Sequence, residues 1–191
     1  LMYDIIAKAH THGLLHSPKP WGKLERVKFL CPVPGYDRHF TICETFGMEM
    51  LNVPMTDEGP DMDVVEALAA DPAVKGIWCV PKYSNPSGVV YSDRVIDRLA
   101  ALKPAAPDFT VMWDNAYCIH EFEGEFVPFR DMLSACAGAG NPDMVYEFAS
   151  TSKVTFPGAG VACFACSEAN MAYMKKLMGA QVISYDKLNQ L

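Results

Sequence analysis

The chain contains 191 residues, of which 50% are hydrophobic and 20% charged, and its formal net charge is −7. This composition is typical of a globular protein with a sizeable core and excludes a disordered or collagen-like chain. The acidic balance, without any basic stripe, argues against a nucleic-acid-binding protein, and no apolar run is long enough to span a membrane.

Short apolar runs alternate with longer amphipathic ones along the chain. The amphipathic runs predict helices over residues 1–12, 36–46, 61–70, 92–102, 129–137 and 168–178. The apolar runs predict six strands, over residues 27–31, 48–53, 74–80, 110–114, 144–150 and 160–166. Ser92 and Ser167 are good N-caps for the helices that follow them.

Strands that alternate with helices predict an α/β fold, a three-layer α-β-α sandwich around a mostly parallel sheet. The last two predicted strands are joined by only about ten residues, too few for a parallel crossover connection. We therefore expect one antiparallel strand, the last. Because the chain starts at Leu1 inside a helical pattern and stops at Leu191 without a closing element, we also expect a piece of a longer protein.

The seven cysteines do not suggest a disulfide framework, because their number is odd and most lie in or beside apolar stretches. Reduced thiols are typical of a cytoplasmic protein, and we expect that location. Cys163 and Cys166 have CxxC spacing, but they lie in a strand-like run without a second pair or a nearby histidine. We therefore predict no metal site.

Polar residues follow three of the predicted strands, in the stretches PKYSNPSG, DNAY and STSK. Each has an ordinary explanation when taken alone, since NPSG is a common turn, Asp114 could cap a helix, Tyr117 could lie in the core and Lys153 could lie on the surface. In open α/β sheets, however, ligands bind beyond the carboxyl ends of the strands. Together the three stretches supply a carboxylate, a phenol, a carboxamide, hydroxyls and an amine, which is the set needed to hold pyridoxal 5'-phosphate.

The chemistry of that cofactor accounts for each residue type. A lysine amine forms a Schiff base with the aldehyde, and a carboxylate keeps the pyridine nitrogen protonated so that the ring can accept electrons. Carboxamide and phenol groups donate hydrogen bonds to the ring's phenolate oxygen, and serine hydroxyls can bind the phosphate.

In this order, NPSG, DNAY and STSK resemble the motifs of fold-type I pyridoxal-phosphate-dependent aminotransferases. The stretches PVPGYDRHF and FASTSKVTFPGAGVA are most similar to the MocR-like branch of aspartate aminotransferases. Each motif alone is weak, but three in the right order and spacing are specific, and the resemblance runs from Leu1 to about Met178. It implies that residues 1–191 are the central part of the cofactor-binding large domain of such an enzyme.

The resemblance also implies a role for each matching residue. Lys153 matches the Schiff-base lysine, which moves the proton between the substrate Cα and the cofactor C4′. Asp114 matches the partner of the pyridine nitrogen, and Tyr117 and Asn85 match the pair that binds the phenolate oxygen.

The phosphate ligands implied by the resemblance are Ser150 and Ser152. Here the sequence departs from the family pattern, in which an arginine shortly after the lysine binds the phosphate. The stretch FPGAGVA has Gly160 near that place and no arginine. Another group must supply the positive charge, or phosphate binding is weaker.

A second departure concerns the aromatic residue that stacks on the cofactor ring, because Val33 lies near its place. Tyr36 or His39 could replace it, and Tyr36 is included among the predicted cofactor-binding residues. The resemblance further implies an upstream glycine-rich phosphate loop, a C-terminal small domain with a substrate-binding arginine, and a homodimer.

These features predict an aminotransferase that acts on an amino acid, with an aspartate-like donor suspected, and a 2-oxo acid. Two alternatives remain open from the sequence. A lyase or decarboxylase of the same fold would use the same lysine and aspartate, and a regulatory module could retain the fold without catalysis. The intact Lys153 and Asp114 argue against the regulatory module.

Overall fold

A seven-stranded sheet forms the centre of the protein, which a computed structural model describes over residues 1–126, 128–155, 158 and 160–191. Its spatial order is β3-β2-β1-β4-β5-β6-β7. The strands are β1 (Lys28–Val33), β2 (Glu49–Thr56), β3 (Gly59–Pro60), β4 (Val74–Cys79), β5 (Thr110–Asp114), β6 (Val145–Ser150) and β7 (Ala162–Cys166).

Six α-helices of the described residues cover the two faces of this sheet. They are α1 (Met2–Thr11), α2 (Asp37–Thr45), α3 (Met62–Ala69), α4 (Asp93–Ala100), α5 (Met132–Gly138) and α6 (Glu168–Gln181). Buried residues of α3, α4 and α5 share one hydrophobic cluster with the sheet, while those of α1, α2 and α6 share a second cluster on the other face. The three-layer α-β-α prediction is therefore confirmed.

The five central strands β2, β1, β4, β5 and β6 are parallel to one another. Every residue of β4 and β5 is buried, as expected for strands covered by helices on both faces. A lysine is tolerated in β4 because Lys75 Nζ lies 2.7 Å from Asp108 Oδ1. Asp108 Oδ2 in turn accepts hydrogen bonds from Ser17 and Trp21, so both oxygens of the buried carboxylate are hydrogen-bonded.

The last strand runs antiparallel to its neighbour, as the short connection predicts. Residues of β6 and β7 pair from Tyr146 with Cys166 to Ser150 with Ala162. The connection is held closed where the Thr151 backbone N–H donates to the Val161 oxygen at 2.9 Å. Because Val161 bonds to Thr151, in the turn after β6, it does not pair with a residue of β6. Strand β7 therefore begins at Ala162, two residues later than predicted.

Two other differences from the predicted elements have local causes. The two-residue strand β3 is antiparallel to β2 and was not predicted, because it depends on a tight turn in which Gly59 has a φ of +129°. Helix α5 begins at Met132 and not near residue 129, because the Asp131 carboxylate accepts a hydrogen bond from the Ser134 backbone N–H at 2.8 Å and so caps the helix.

Within the part of the chain that the structure describes, no helix is long and apolar enough to cross a membrane.

Candidate active site

The topology of the sheet creates a crevice at one edge. Strand β1 lies between β2 and β4, so the connections from β1 and β4 leave in opposite directions from neighbouring strands. In open α/β sheets this switch point, beyond the carboxyl ends of the strands, is where ligands bind. Because β4, β5 and β6 are parallel, the segments that follow them all emerge at this edge.

A buried carboxylate forms the floor of the candidate site. Asp114 is the last residue of β5 and is 8% exposed. Its Oδ2 lies 3.0 Å from Nε2 of His39, a buried residue of α2. Because a carboxylate accepts, His39 donates this bond and fixes the carboxylate. No described residue donates to the other oxygen, Oδ1, which is therefore available to a bound group.

Aromatic side chains hold His39 in place. Its ring stacks on that of Trp78 in β4, with the centroids 4.6 Å apart and an interplanar angle of 9°. Tyr36, just before α2, approaches the His39 ring edge-on at 5.3 Å. Since one ring face is covered by Trp78 and a nitrogen is bonded to Asp114, His39 serves to orient the carboxylate. Tyr36 is half-buried at the crevice, and its stacking on a cofactor ring stays a prediction.

Lys153 presents its amine at the same edge, in a 3-10 turn (Thr151–Lys153) that directly follows β6. Ser150 caps this turn, because its Oγ accepts a hydrogen bond from the Ser152 backbone N–H at 3.4 Å. Lys153 is exposed, and its Nζ lies 6.0 Å from the centroid of the Tyr117 ring. The structure thus brings together two of the predicted residues, Lys153 and Tyr117, from different strand ends.

The segment after β5 connects all three strand ends. Glu121 accepts hydrogen bonds from Lys82 Nζ at 2.5 Å and from Tyr83 Oη at 2.8 Å, both in the segment after β4. His120 Nε2 lies 3.1 Å from the backbone oxygen of Lys153, after β6. The hydrogen bond to Glu121 raises the pKa of the Tyr83 phenol. Residues 120 and 121 therefore link the segments that carry the predicted site residues.

Two further contacts lie just behind the site. The Asn115 side-chain amide donates to Glu147 Oε1 in β6 at 2.8 Å, and burial raises the pKa of the Glu147 carboxyl. The backbone N–H of Asn115 donates to the Phe148 oxygen at 2.8 Å. These two bonds continue the pairing of β5 with β6 for one residue past Asp114. The chain therefore stays alongside β6 immediately after β5 ends.

Not all predicted residues are in contact. Asn85 is exposed, and no described residue forms a hydrogen bond with its side chain. Ser152 is half-buried, and Gly160 lies against the same turn, where a Cβ would come within 2.8 Å of Thr151 Oγ1. Any side chain at position 160 would therefore have to displace the Thr151 hydroxyl, which accepts a hydrogen bond from the Val161 backbone N–H.

His39, His120 and Glu121 are residues whose site contacts were not predicted from the sequence. His39 was considered only as a stacking residue, and its bond to Asp114 joins positions 75 residues apart. His120 had a weak signal, because it lies three residues after Tyr117, the spacing that places two side chains on the same side of a helical turn.

The residues present fit pyridoxal phosphate in their chemistry. The carboxylate of Asp114 has one oxygen without a described donor, the amine of Lys153 is exposed, and hydroxyl groups lie in the turn that carries Lys153. Residues 154–191 include no arginine. They therefore lack the side chain that was expected, after the lysine, to balance the negative charge of the phosphate.

Comparisons with known proteins identify the family of the chain. The family model described as aspartate amino-transferase matches residues 1–191. A protein of Mycolicibacterium smegmatis with an aminotransferase name is 53% identical over 192 residues, and a Corynebacterium glutamicum protein named aspartate aminotransferase is 48% identical over 191 residues. Both matches cover 100% of this chain but only 45% of the first relative and 44% of the second, so the chain spans less than half the length of these relatives.

Solved structures give the same result. The crystal structure of an aspartate transaminase from Corynebacterium glutamicum has a TM-score of 0.97, with 48% identity over 100% of this chain and 45% of that one. An α-aminoadipate aminotransferase from Thermus thermophilus, solved with a phosphopyridoxyl-leucine compound, has a TM-score of 0.75 with 22% identity, over 99% of this chain and 44% of that one. At that identity the second likeness concerns the fold alone.

Proposed function

The chain belongs to the aspartate aminotransferase family, and we propose that the whole protein is a pyridoxal-phosphate-dependent aminotransferase. It would transfer an amino group between an amino acid, with an aspartate-like donor favoured, and a 2-oxo acid. The observation that carries the proposal is the pairing of a buried, histidine-held carboxylate at the end of β5 with an exposed amine after β6. The relative named aspartate aminotransferase supports the choice of donor.

Bound pyridoxal phosphate would supply an electron-withdrawing ring that stabilises negative charge at the substrate Cα. Asp114 would hold the ring nitrogen protonated, because the carboxylate fixed by His39 keeps one oxygen for that contact. Lys153 would bind the aldehyde carbon and then carry the proton to and from the substrate Cα. The serines at the turn, Ser150 and Ser152, would donate to the phosphate.

The oxygen of the cofactor ring would be bound by Tyr117 and Asn85. Tyr117 already lies against the Lys153 amine, whereas Asn85 is exposed on its loop. We expect Asn85 to become buried only when the site is filled. The remaining positive charge for the phosphate would come from outside these residues, and a homodimer would be one source of it.

A lyase or decarboxylase would use the same Lys153 and Asp114, so the two residues do not separate these reactions. The 48% identity to a named aspartate aminotransferase over the whole chain favours amino transfer. The decisive difference is chemical, since a transaminase needs a 2-oxo acid to complete its cycle and a lyase does not.

The test is to incubate the whole protein with pyridoxal phosphate and ¹⁵N-labelled amino acids, with and without a 2-oxo acid, and to follow the label by mass spectrometry. We expect label to appear in the new amino acid, with aspartate among the best donors, and only when the 2-oxo acid is present. Lys103→Ala, a change of an exposed lysine near the opposite edge of the sheet, is the matched control and should be fully active. Consumption of many equivalents of the amino acid per enzyme without the 2-oxo acid would replace the proposal by the lyase, because a transaminase then converts only about one equivalent per bound cofactor.

A further inference from the structure

His120 lies next to Lys153, and the proposed reaction assigns it no role. Its Nε2 is 3.1 Å from the backbone oxygen of Lys153. Since a carbonyl oxygen only accepts, Nε2 carries a proton and donates this bond. The other ring nitrogen, Nδ1, is buried and has no hydrogen-bond partner among the described residues. His120 as a whole is half-buried, so the protein covers the Nδ1 side of the ring in particular.

The position of His120 is set by the segment after β5, independently of Lys153. Its backbone N–H donates to the Tyr117 oxygen at 3.1 Å, and its ring meets the Tyr117 ring at 5.5 Å and 78°. The next residue, Glu121, is bonded to Lys82 and Tyr83. Because these contacts hold His120 from two strand ends, its bond to Lys153 ties the lysine backbone to that segment.

The turn that carries Lys153 needs such an anchor. Its first residue is held by two hydrogen bonds. The Thr151 backbone N–H donates to the Val161 oxygen at 2.9 Å, and the Val161 backbone N–H donates to Thr151 Oγ1 at 3.0 Å. The amides of Val154 and Thr155 both donate to the Thr151 oxygen, at 2.9 and 2.8 Å. No described backbone N–H donates to the Lys153 oxygen. The imidazole of His120 therefore supplies the donor that this carbonyl otherwise lacks.

We propose that His120 is a positioning residue, which fixes the backbone of Lys153 relative to the segment that carries Asp114 and Tyr117. A lysine side chain has four flexible carbons, so the reach of its amine depends on where its backbone is held. The catalytic consequence rests on the proposed function, whereas the effect on the turn does not. Because a misplacement of about 1 Å can cost roughly a hundredfold in rate, loss of one anchor should have a smaller but measurable effect.

Three substitutions in the whole protein separate the donor from the ring. His120→Phe keeps a ring against Tyr117 and removes the donor. His120→Gln places a side-chain N–H near the position of Nε2, and His120→Asn carries the same carboxamide one methylene shorter, out of reach of the carbonyl. The Gln and Asn variants are thus a matched pair, which remains informative if the Phe variant does not fold.

The first measurement uses cofactor-free protein, in which amide hydrogen exchange of Val154 and Thr155 is followed. We expect exchange about tenfold faster in the Phe and Asn variants, and within about threefold of wild type in the Gln variant. The second measurement is steady-state kinetics of the loaded enzyme. There kcat should fall about tenfold in the Phe and Asn variants while KM stays within about twofold, and Gln should restore most of kcat.

Two results would overturn the inference. One is wild-type exchange in the Phe and Asn variants, and the other is equal exchange in the Gln and Asn variants, which would show that the donor does not matter. If exchange responds as expected but wild-type protein transfers no amino group, the proposed function is wrong while the positioning role of His120 stands. If exchange and activity both respond, both proposals are supported.

Discussion

Asp114 depends on a neighbour that is distant in sequence. A carboxylate at the end of a buried strand is costly unless it is hydrogen-bonded, and His39 provides that bond at 3.0 Å. The histidine is itself packed on Trp78. The carboxylate of Asp114 is thus held at the crevice by contacts from β4 and α2, and under the proposed function it would act on a bound ring without rearrangement.

Replacement of Asp114 by asparagine removes the charge and keeps the shape. The Asn oxygen can still accept the bond from His39, so the fold should be preserved. An amide cannot compensate a protonated pyridine ring, so we expect kcat to fall by about a hundredfold or more, with a modest change in cofactor affinity. Steady-state kinetics and cofactor titration of the whole protein measure the two effects. Unchanged kcat would reduce Asp114 to a structural residue.

Glu147 gives a prediction about pH. Burial raises the pKa of its carboxyl, so the folded protein binds this proton more tightly than the unfolded chain. The contribution of this proton to the stability of the fold is therefore fully present below the ordinary pKa of glutamate. It is lost as the pH rises through the raised pKa of Glu147. Glu147→Gln keeps an oxygen for Asn115 and removes the half-buried charge. It should raise the thermal unfolding midpoint at neutral pH, with a difference that shrinks in acid.

The matched control for Glu147→Gln is Glu49→Gln, which changes an exposed glutamate of β2. Thermal melting of both variants across the acid range separates burial from a general effect of net charge. A midpoint for Glu147→Gln below that of wild type at neutral pH would show that ionised Glu147 stabilises the fold.

Among the secondary-structure elements, the long periodic ones were predictable. The central strands and α4 follow directly from apolar runs and an N-cap, and the antiparallel β6–β7 pair follows from the length of its connection. Strand β3 was not predictable, because its two residues depend on the tertiary position of a glycine. In the site, strand-end motifs placed Lys153 and Tyr117 together, but the bonds from His39 and His120 join segments that only the folded chain brings into contact.

The cap of α4 can be tested directly. Ser92 Oγ accepts a hydrogen bond from the Val95 backbone N–H at 3.3 Å. Ser92→Ala should lower the free energy of unfolding by about 1 kcal/mol, because a helix donor loses its partner. Ser134→Ala on the exposed side of α5 removes a hydroxyl that is not a cap and should change the free energy much less. Equal losses in the two variants would contradict a specific capping role.

At the scale of the whole molecule, we expect the described residues to supply only part of the proposed active site. Relatives are more than twice as long, and no arginine follows Lys153. Large apolar side chains are also exposed, among them Ile119, Phe122 and Leu188. Exposed apolar surface of this kind favours association.

Residues 1–191 expressed alone should therefore not catalyse amino transfer, even when folded. Ser150 and Ser152 cannot by themselves neutralise a phosphate dianion, and we expect cofactor binding to be much weaker than in the whole protein. Formation of the 2-oxo acid from an amino donor, compared with the whole protein at equal concentration, measures this. Turnover at the rate of the whole protein would mean that the site is complete within these residues.

The most direct test of the proposed site is to identify the lysine that binds the cofactor. The whole protein is loaded with pyridoxal phosphate, reduced with borohydride, digested and mapped by mass spectrometry, beside Lys153→Ala and the control Lys103→Ala. We predict a single cofactor adduct on Lys153 in wild type and in the Lys103 variant, and none in the Lys153 variant. An adduct on another lysine of the wild type, or one that persists in Lys153→Ala, would contradict the assignment.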